Sequence, residues 1–379
     1  MEEEQGKLMM KIVAAIVPYT FLPVQSGGQR LISGFYDELG KKTQLHVIST
    51  PENQATQTIS YQLLKKLRSS RLRYADVFLY FKIKKYLKLH QIEFLIIEHP
   101  YLGWLGWQLK KATGVKLIVH THNIEYQRFR SIGKWWWNLL KFYERWTLQK
   151  ADYVFCITEE DKSGFIENLK INQSKCKVIP YGIYQDSAPA DKKLTKLSVC
   201  TELNIDPASN ILFFNGVLNY KPNRDALDII LHQINPILLR SSLNYKIIVA
   251  GKNLPQVYND LKEWNQNNVI YLGFVDDIER FTKAADILLN PVLSGGGVKT
   301  KMIEALGLNT TVISTVTGAA GVSKETCGDK LIIIEDSNWG AFTDAVIKTV
   351  TTPEHDIPAA FYREFSWKNI IEKTLKYIN

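Results

Sequence analysis

Short apolar runs alternate with segments long enough for a helix along nearly the whole chain, and the alternation occurs twice. The first series reads KIVAAIVP, QLHVIST, FLIIEHP, VKLIVHTHN, YVFCITE and KVIPYGI; the second starts at NILFFNG and continues through YKIIVAGKNL, VIYLGF, TTVIST and KLIIIE. Tight turns can join antiparallel strands, whereas parallel strands need a crossover of helix length. The spacing therefore predicts an α/β chain of parallel sheets with helices on both faces. With 379 residues there is room for two domains of ordinary size. The polar stretch SAPADKKLTKLS, 187–198, has little hydrophobic periodicity and reads as the linker between them. Ligands of such sheets bind beyond the carboxyl ends of the strands, so the informative residues are those just after each run.

The richest such place is SGGGVKTKMIEALGLNTTVISTVTGAAG, Ser294 to Gly321. Three consecutive glycines let the backbone turn tightly and come close to a ligand, and a helix is expected from Val298 or Lys299. Free amides and the positive end of the helix dipole would then lie beside Lys299 and Lys301, a site suited to phosphate. Met302, Ile303 and Leu306 can face a core while Lys301 and Glu304 share the other face. A carboxylate one turn below a phosphate cradle can accept hydrogen bonds from sugar hydroxyls, which points to a ribose-bearing nucleotide. Gly307 reads as the helix stop and TTVIST as a buried strand.

Other turns repeat the theme. Gly27 and Gly28 open the helix after the first strand, either for close approach to phosphate or acceptor or as an ordinary flexible turn. Gly216 follows NILFFN, with Pro222 at a helix start beyond it. Asp276 and Asp277 read as a helix cap. His120 and His122 lie two apart at a strand end and can face the same way, with Glu125 three residues on. No cysteine or carboxylate elsewhere completes a recognisable ligand set around them, so no metal is expected.

The bulk properties narrow the class. A composition 45% hydrophobic and 22% charged is that of a globular protein. Cys156, Cys176, Cys200 and Cys327 have no metal-ligand spacing and read as free thiols of a reducing compartment. The acidic start MEEEQG lacks a cationic n-region, so KIVAAIVP reads as a strand and not a signal sequence, and no stretch reaches the length of a membrane span. A cytoplasmic protein is expected. The net charge of +9 concentrates between Tyr61 and His90, where nine Lys or Arg stand against the single acid Asp76. Two readings stay open there: a solvated helical face, or a basic amphipathic segment on an anionic membrane at the inner face. KWWWNLLKFYERW, Lys134 to Trp146, is a second candidate, since three adjacent tryptophans cannot all enter one core. No recognition helix, RNP motif or zinc pattern points to nucleic acid.

Taken in order, these strings resemble the retaining glycosyltransferases of the GT-B fold, family 4. The resemblance covers nearly all the chain: the first-strand glycine loop, HNIE, VIPYGI, G-x-L-x-Y-x-P-N-x-D-A, GFVDD, GGG-x-K-x-K-x-x-E and the FSW string before the last helix. It implies two facing Rossmann-like domains with a central cleft: 1–186 binding the acceptor, 187–360 binding the donor, and 361–379 a helix returning to the first domain. It further implies metal-independent, hexosyl-type transfer from a UDP- or GDP-sugar to a sugar, lipid-linked glycan or other hydroxyl, with no cofactor, in surface polysaccharide or glycolipid assembly. Residue by residue, it gives His122 a contact with the donor sugar, with His120 as its alternate, and puts Glu125 on the acceptor side. Gly27 and Gly28 would lie near both substrates. Gly216 would face the nucleotide, and the backbone after Phe274 would hold its base. Gly296, Gly297 and Val298 with Lys299 and Lys301 would receive the diphosphate, and Glu304 the ribose. Two departures stand out: Gly296 occupies the place of the first acid of the E-x7-E motif, and Val217 that of a phosphate-binding arginine. They favour a catalytically silent relative acting as a membrane-associated or complex-forming subunit; His122, Glu304 and both lysines favour an enzyme. A dinucleotide oxidoreductase would need G-x-G-x-x-G at the first turn and an acid after the second strand, and neither is present.

Overall fold

The computed structural model describes residues 10–24, 26–353 and 355–378; the MEEEQG start lies outside them. The chain divides into two compact units, 1–182 with 367–379, and 183–366. The sequence reading placed these divisions at 186 and 360; the units divide instead at 182 and 366, so the helix Ala359–Phe365 goes with the second unit.

Strands β1 (Ile12–Ile16), β2 (Gln44–Ser49), β3 (Gln62–Lys65), β4 (Phe94–Glu98), β5 (Lys116–His120), β6 (Tyr153–Cys156) and β7 (Cys176–Val178) form the first sheet. Its order is β3-β2-β1-β4-β5-β6-β7, parallel throughout. The second sheet holds β8 (Asn210–Asn215), β9 (Tyr245–Ala250), β10 (Val269–Gly273), β11 (Ile287–Asn290), β12 (Thr311–Thr315) and β13 (Leu331–Ile334), in the parallel order β10-β9-β8-β11-β12-β13. Covered by helices, the central strands are buried end to end, as in β4 and β12, which is why they read as unbroken apolar runs. In each sheet the strand order reverses at one place, between β1 and β4 in the first and between β8 and β11 in the second. A crevice opens at such a reversal because the two flanking loops turn away from each other.

The last helix, Trp367–Ile378, packs on the first, Gly27–Gly40, within the first unit. Trp367 is the wedge: a β-carbon on Gly34 would lie 2.5 Å from its indole, and one on Gly182 2.2 Å. Both glycines are there because no side chain fits. Tyr181 is buried beside the same indole.

Two expectations need correction. Most of the supposed linker is a helix, Lys192–Glu202, that buries only Val199 and Cys200. Polar contacts hold it: Lys192 Nζ donates to the Lys283 and Ala285 carbonyls, and Lys196 pairs with Asp286 at 2.7 Å. A helix anchored through ammonium groups shows no apolar periodicity. Gly307 does end the helix Thr300–Gly307, but not through a left-handed turn; a β-carbon there would meet Ile183 Cδ1 at 2.4 Å, and the left-handed residue is Asn309, at φ 60°.

Candidate functional site

In the second unit, three loops gather at the carboxyl edge around the β8/β11 reversal. Gly216 follows β8, and its amide donates to the Ala250 carbonyl at 3.1 Å. A β-carbon on Gly251 would stand 1.9 Å from the Gly216 oxygen, so the turns after β8 and β9 meet backbone to backbone there. The glycine-rich loop follows β11. Gly295 (φ 93°) and Gly297 (φ 73°) occupy the left-handed region, which explains those two glycines. Tyr220, at the end of the loop after β8, and Pro222, in the first turn of the helix Lys221–Ile229, lie against Gly295. Gly296 has open space where its β-carbon would be, so nothing in the packing demands glycine where the family carries an acid.

The helix expected from Val298 or Lys299 starts at Thr300, with Lys299 as its cap. Met302, Ile303 and Leu306 are buried as expected; Val298, Lys299, Lys301 and Glu304 are half-buried along the other side. Lys299 Nζ folds back onto its own loop, donating to the Gly295 carbonyl at 2.7 Å and to that of Gly297 at 3.0 Å. Lys301 Nζ donates to the Asn215 carbonyl at 3.2 Å and lies 4.4 Å above the Phe214 ring. Burial, with Lys299 nearby, pulls the Lys301 ammonium down to about 7, and burial also lowers Lys299. Among the described residues no carboxylate offsets the desolvation of either ammonium group. Phe274, just past β10, is 67% exposed. Asp277 caps the helix Ile278–Ala284, accepting from the Arg280 amide.

The first unit gathers its polar groups at the corresponding β1/β4 reversal. Gly27 and Gly28 open the first helix behind Ser26, and a side chain at Gly28 would meet open space. Glu98, the last residue of β4, is fully buried and takes three donors: Tyr36 Oη at 2.5 Å, His120 Nδ1 at 3.0 Å and His122 Nε2 at 2.7 Å. His120 and His122 do face the same way, as their spacing predicts. Burial and the adjoining His99 ring push the His122 imidazole down to about 4, so near pH 7 it is neutral and gives its Nε2 proton to Glu98. Burial alone would raise the Glu98 carboxyl, but the two imidazoles hold it well below the usual range. Glu98, His120 and His122 offer three atoms within 4.8 Å of one another, a potential metal-ligand set that sequence reasoning missed because it overlooked Glu98. Ligand atoms around tetrahedral zinc stand roughly 3.3 Å apart, given bonds of about 2.0 Å. At 2.7 and 3.0 Å these contacts have the length of hydrogen bonds.

A second carboxylate lies alongside. Glu125 opens the helix Glu125–Ser131, and its Oε2 accepts from Tyr101 Oη at 2.5 Å and Arg128 Nε at 3.0 Å. Its Oε1 lies 3.1 Å from His99 Nδ1, off the line of a good hydrogen bond. Burial works against the Glu125 charge, but His99 and Arg128 outweigh it and hold the carboxyl down to about 2. Glu144, from the helix Trp137–Lys150, receives the backbone amides of Glu125 and Tyr126, both at 3.0 Å, and so caps that helix from outside. Burial pushes the Glu144 carboxyl up to about 8. His99 itself takes φ 60°, ψ 167°, a conformation that costs a residue with a β-carbon about 1–3 kcal/mol.

Sequence reasoning found His120, His122 and Glu125 but missed Glu98, His99, Tyr36 and Glu144. The signal was there for two of them, because Glu98 and His99 directly follow the run FLII. In the second unit it missed the part played by Asn215, whose carbonyl receives Lys301.

Residues 26–186 match the family described as Glycosyltransferase Family 4, and residues 209–352 match Glycosyl transferases group 1. Anabaena HepE in complex with UDP has a similar structure, with a TM-score of 0.70 at 14% identity, covering 97% of this chain and 99% of that one. So does WaaG, a glycosyltransferase involved in lipopolysaccharide biosynthesis, with a TM-score of 0.67 at 16% identity over 97% and 100% of the two chains. An uncharacterised 44.6 kDa protein in the cps region of Klebsiella pneumoniae is 27% identical over 133 residues. That match spans about a third of this chain and a third of the relative. The two family matches follow one another in chain order and together cover most of its length, each on its own parallel sheet: the chain belongs to the GT-B glycosyltransferases, with a family 4 domain followed by a group 1 domain.

Proposed function

We propose that this protein is a retaining glycosyltransferase that moves a hexosyl group from a UDP- or GDP-sugar to a hydroxyl acceptor, without a metal, in surface polysaccharide or glycolipid assembly. The observation that carries this reading is the convergence of Gly216, Gly295, Gly297, Lys299 and Lys301 at the strand-order reversal of the second sheet. Two desolvated ammonium groups beside loops made of backbone suit a diphosphate and little else. There the charge that grows on the leaving diphosphate is neutralised, with Glu304 left to take the ribose and the backbone beyond Phe274 the base. Gly27 and Gly28 border the substrates in the first domain, where His122, with His120 behind it, meets the donor sugar and Glu125 serves the acceptor. The UDP bound by HepE, and the settings of WaaG and the Klebsiella protein, support the nucleotide class and the pathway class. Turnover of a panel of UDP- and GDP-sugars, followed by release of the free nucleotide, tests the proposal. One donor should be consumed, at a rate at least tenfold lower in Glu304→Ala; a panel left wholly intact would favour the silent subunit.

The protein works in the cytoplasm at the inner face of an anionic membrane. On the helix Val77–Leu89, Leu79, Ile83 and Leu87 face the core, and Phe78, Phe81, Lys82 and Lys85 are exposed. Trp135, Leu139 and Phe142 are exposed as well, while Trp136 and Trp137 pack partly against the core. Exposed aromatic rings among lysines suit the headgroup boundary. No helix among the described residues is long and apolar enough to cross a membrane. In liposome flotation the protein should rise with vesicles containing phosphatidylserine and stay behind with neutral ones; failure with both would remove the membrane contact.

A further inference from the structure

His99 directly follows the apolar run of β4, and its surroundings hold it on several sides. It follows β4 at the strand-order reversal, and its amide donates to the His120 carbonyl at 2.8 Å. Its ring stacks on Tyr101, with centroids 5.3 Å apart, and lies 4.3 Å from His122 and 5.6 Å from Tyr19. Nδ1 is buried against the Glu125 carboxylate, about a tenth of the side chain stays exposed, and Nε2 is its remaining polar atom. Glu125 cannot shift easily, since Tyr101 and Arg128 hold its other oxygen and Glu144 holds its backbone. His122 differs, because its Nε2 is already committed to Glu98. Tyr19, from the loop after β1 on the other side of the reversal, has a buried hydroxyl with no hydrogen-bond partner among the described residues. Backbone strain and an orphaned hydroxyl are both unfavourable, and proteins retain such features where a substrate needs them.

We infer that His99 is the acceptor-binding residue of the first domain: its Nε2 accepts a hydrogen bond from the acceptor hydroxyl, Tyr19 Oη meets a neighbouring hydroxyl of the same sugar, and Glu125 positions the ring. The inference rests on the transferase reading and assigns it a residue outside the family pattern.

The test uses the full chain and a donor that the panel shows to be consumed, with water as the acceptor. His99→Gln should lower kcat for hydrolysis at least tenfold while KM for the donor and the melting-point shift with UDP or GDP stay within about twofold. The melting point without nucleotide separates loss of function from loss of fold; if His99→Gln is unfolded, His99→Asn is read in its place. An unchanged kcat overturns the assignment, as does a tenfold rise in KM at constant kcat, which would put His99 on the donor side. If the wild-type protein consumes no donor, the transferase reading falls and this inference falls with it, an outcome distinct from an active wild type with an equally active His99→Gln.

Discussion

Glu98→Ala is expected to destabilise the protein by about 3–5 kcal/mol, the usual result of removing one partner from a buried charged network. The alanine would leave Tyr36 Oη, His120 Nδ1 and His122 Nε2 without their common acceptor in a place water does not reach. Glu98→Gln should cost less, because its amide oxygen still accepts from one or two of them. Urea unfolding of the three proteins measures the difference. A loss below about 1 kcal/mol for the alanine variant would mean that the network stabilises little, the level of an ordinary surface pair. The pH dependence has a definite sign. The Glu98 carboxyl lies below its ordinary value in the folded protein, so its stabilisation is fully present above the unfolded value of about 4.3 and fades as the pH falls through the depressed one.

Nucleotide affinity should depend on pH through Lys301. Its ammonium is held down to about 7, mainly by burial, so in the free protein it loses its proton as the pH rises above neutrality. A bound diphosphate restores the proton, since an adjacent anion favours the charged form. The dissociation constant for UDP or GDP should therefore rise by up to about tenfold per pH unit between pH 7 and the higher value of the complex. The second ionisation of a phosphate group lies near 6 and does not obscure this window. In Lys301→Met the affinity should drop at least tenfold at pH 7 and the slope should vanish. Calorimetric titrations at pH 6.5, 7.5 and 8.5 would show it. A flat profile for the unmodified protein would take Lys301 out of the phosphate site. For folding the sign is the same as that of Glu98, in a higher window: the unfolded chain binds more protons at Lys301 between about 7 and the ordinary lysine value, so this residue too makes stability rise with pH there.

How legible each part was follows from the range of the forces involved. Alternating apolar runs identified both sheets, because strands covered on both faces must be apolar along their whole length. The glycine loop after β11 and its two lysines were legible because turn geometry and helix starts are local properties. The helix Lys192–Glu202 was not, because ammonium groups reaching carbonyls about ninety residues away leave no periodicity in their own segment. Gly34 and Gly182 look like ordinary helix and turn residues until Trp367 is set against both.

By itself the sequence determined that this chain builds two parallel sheets and places a glycine-rich turn with two lysines after a strand of the second, since hydrophobic periodicity and backbone freedom act over a few residues. Only the tertiary structure decided that Glu98 joins Tyr36, His120 and His122, that Glu144 caps the helix carrying Glu125, and that His99 is held against Glu125 in a strained turn. Those contacts join residues from separate elements in an interior of low dielectric. There distance and desolvation, which no spacing along a chain records, set which groups carry charge.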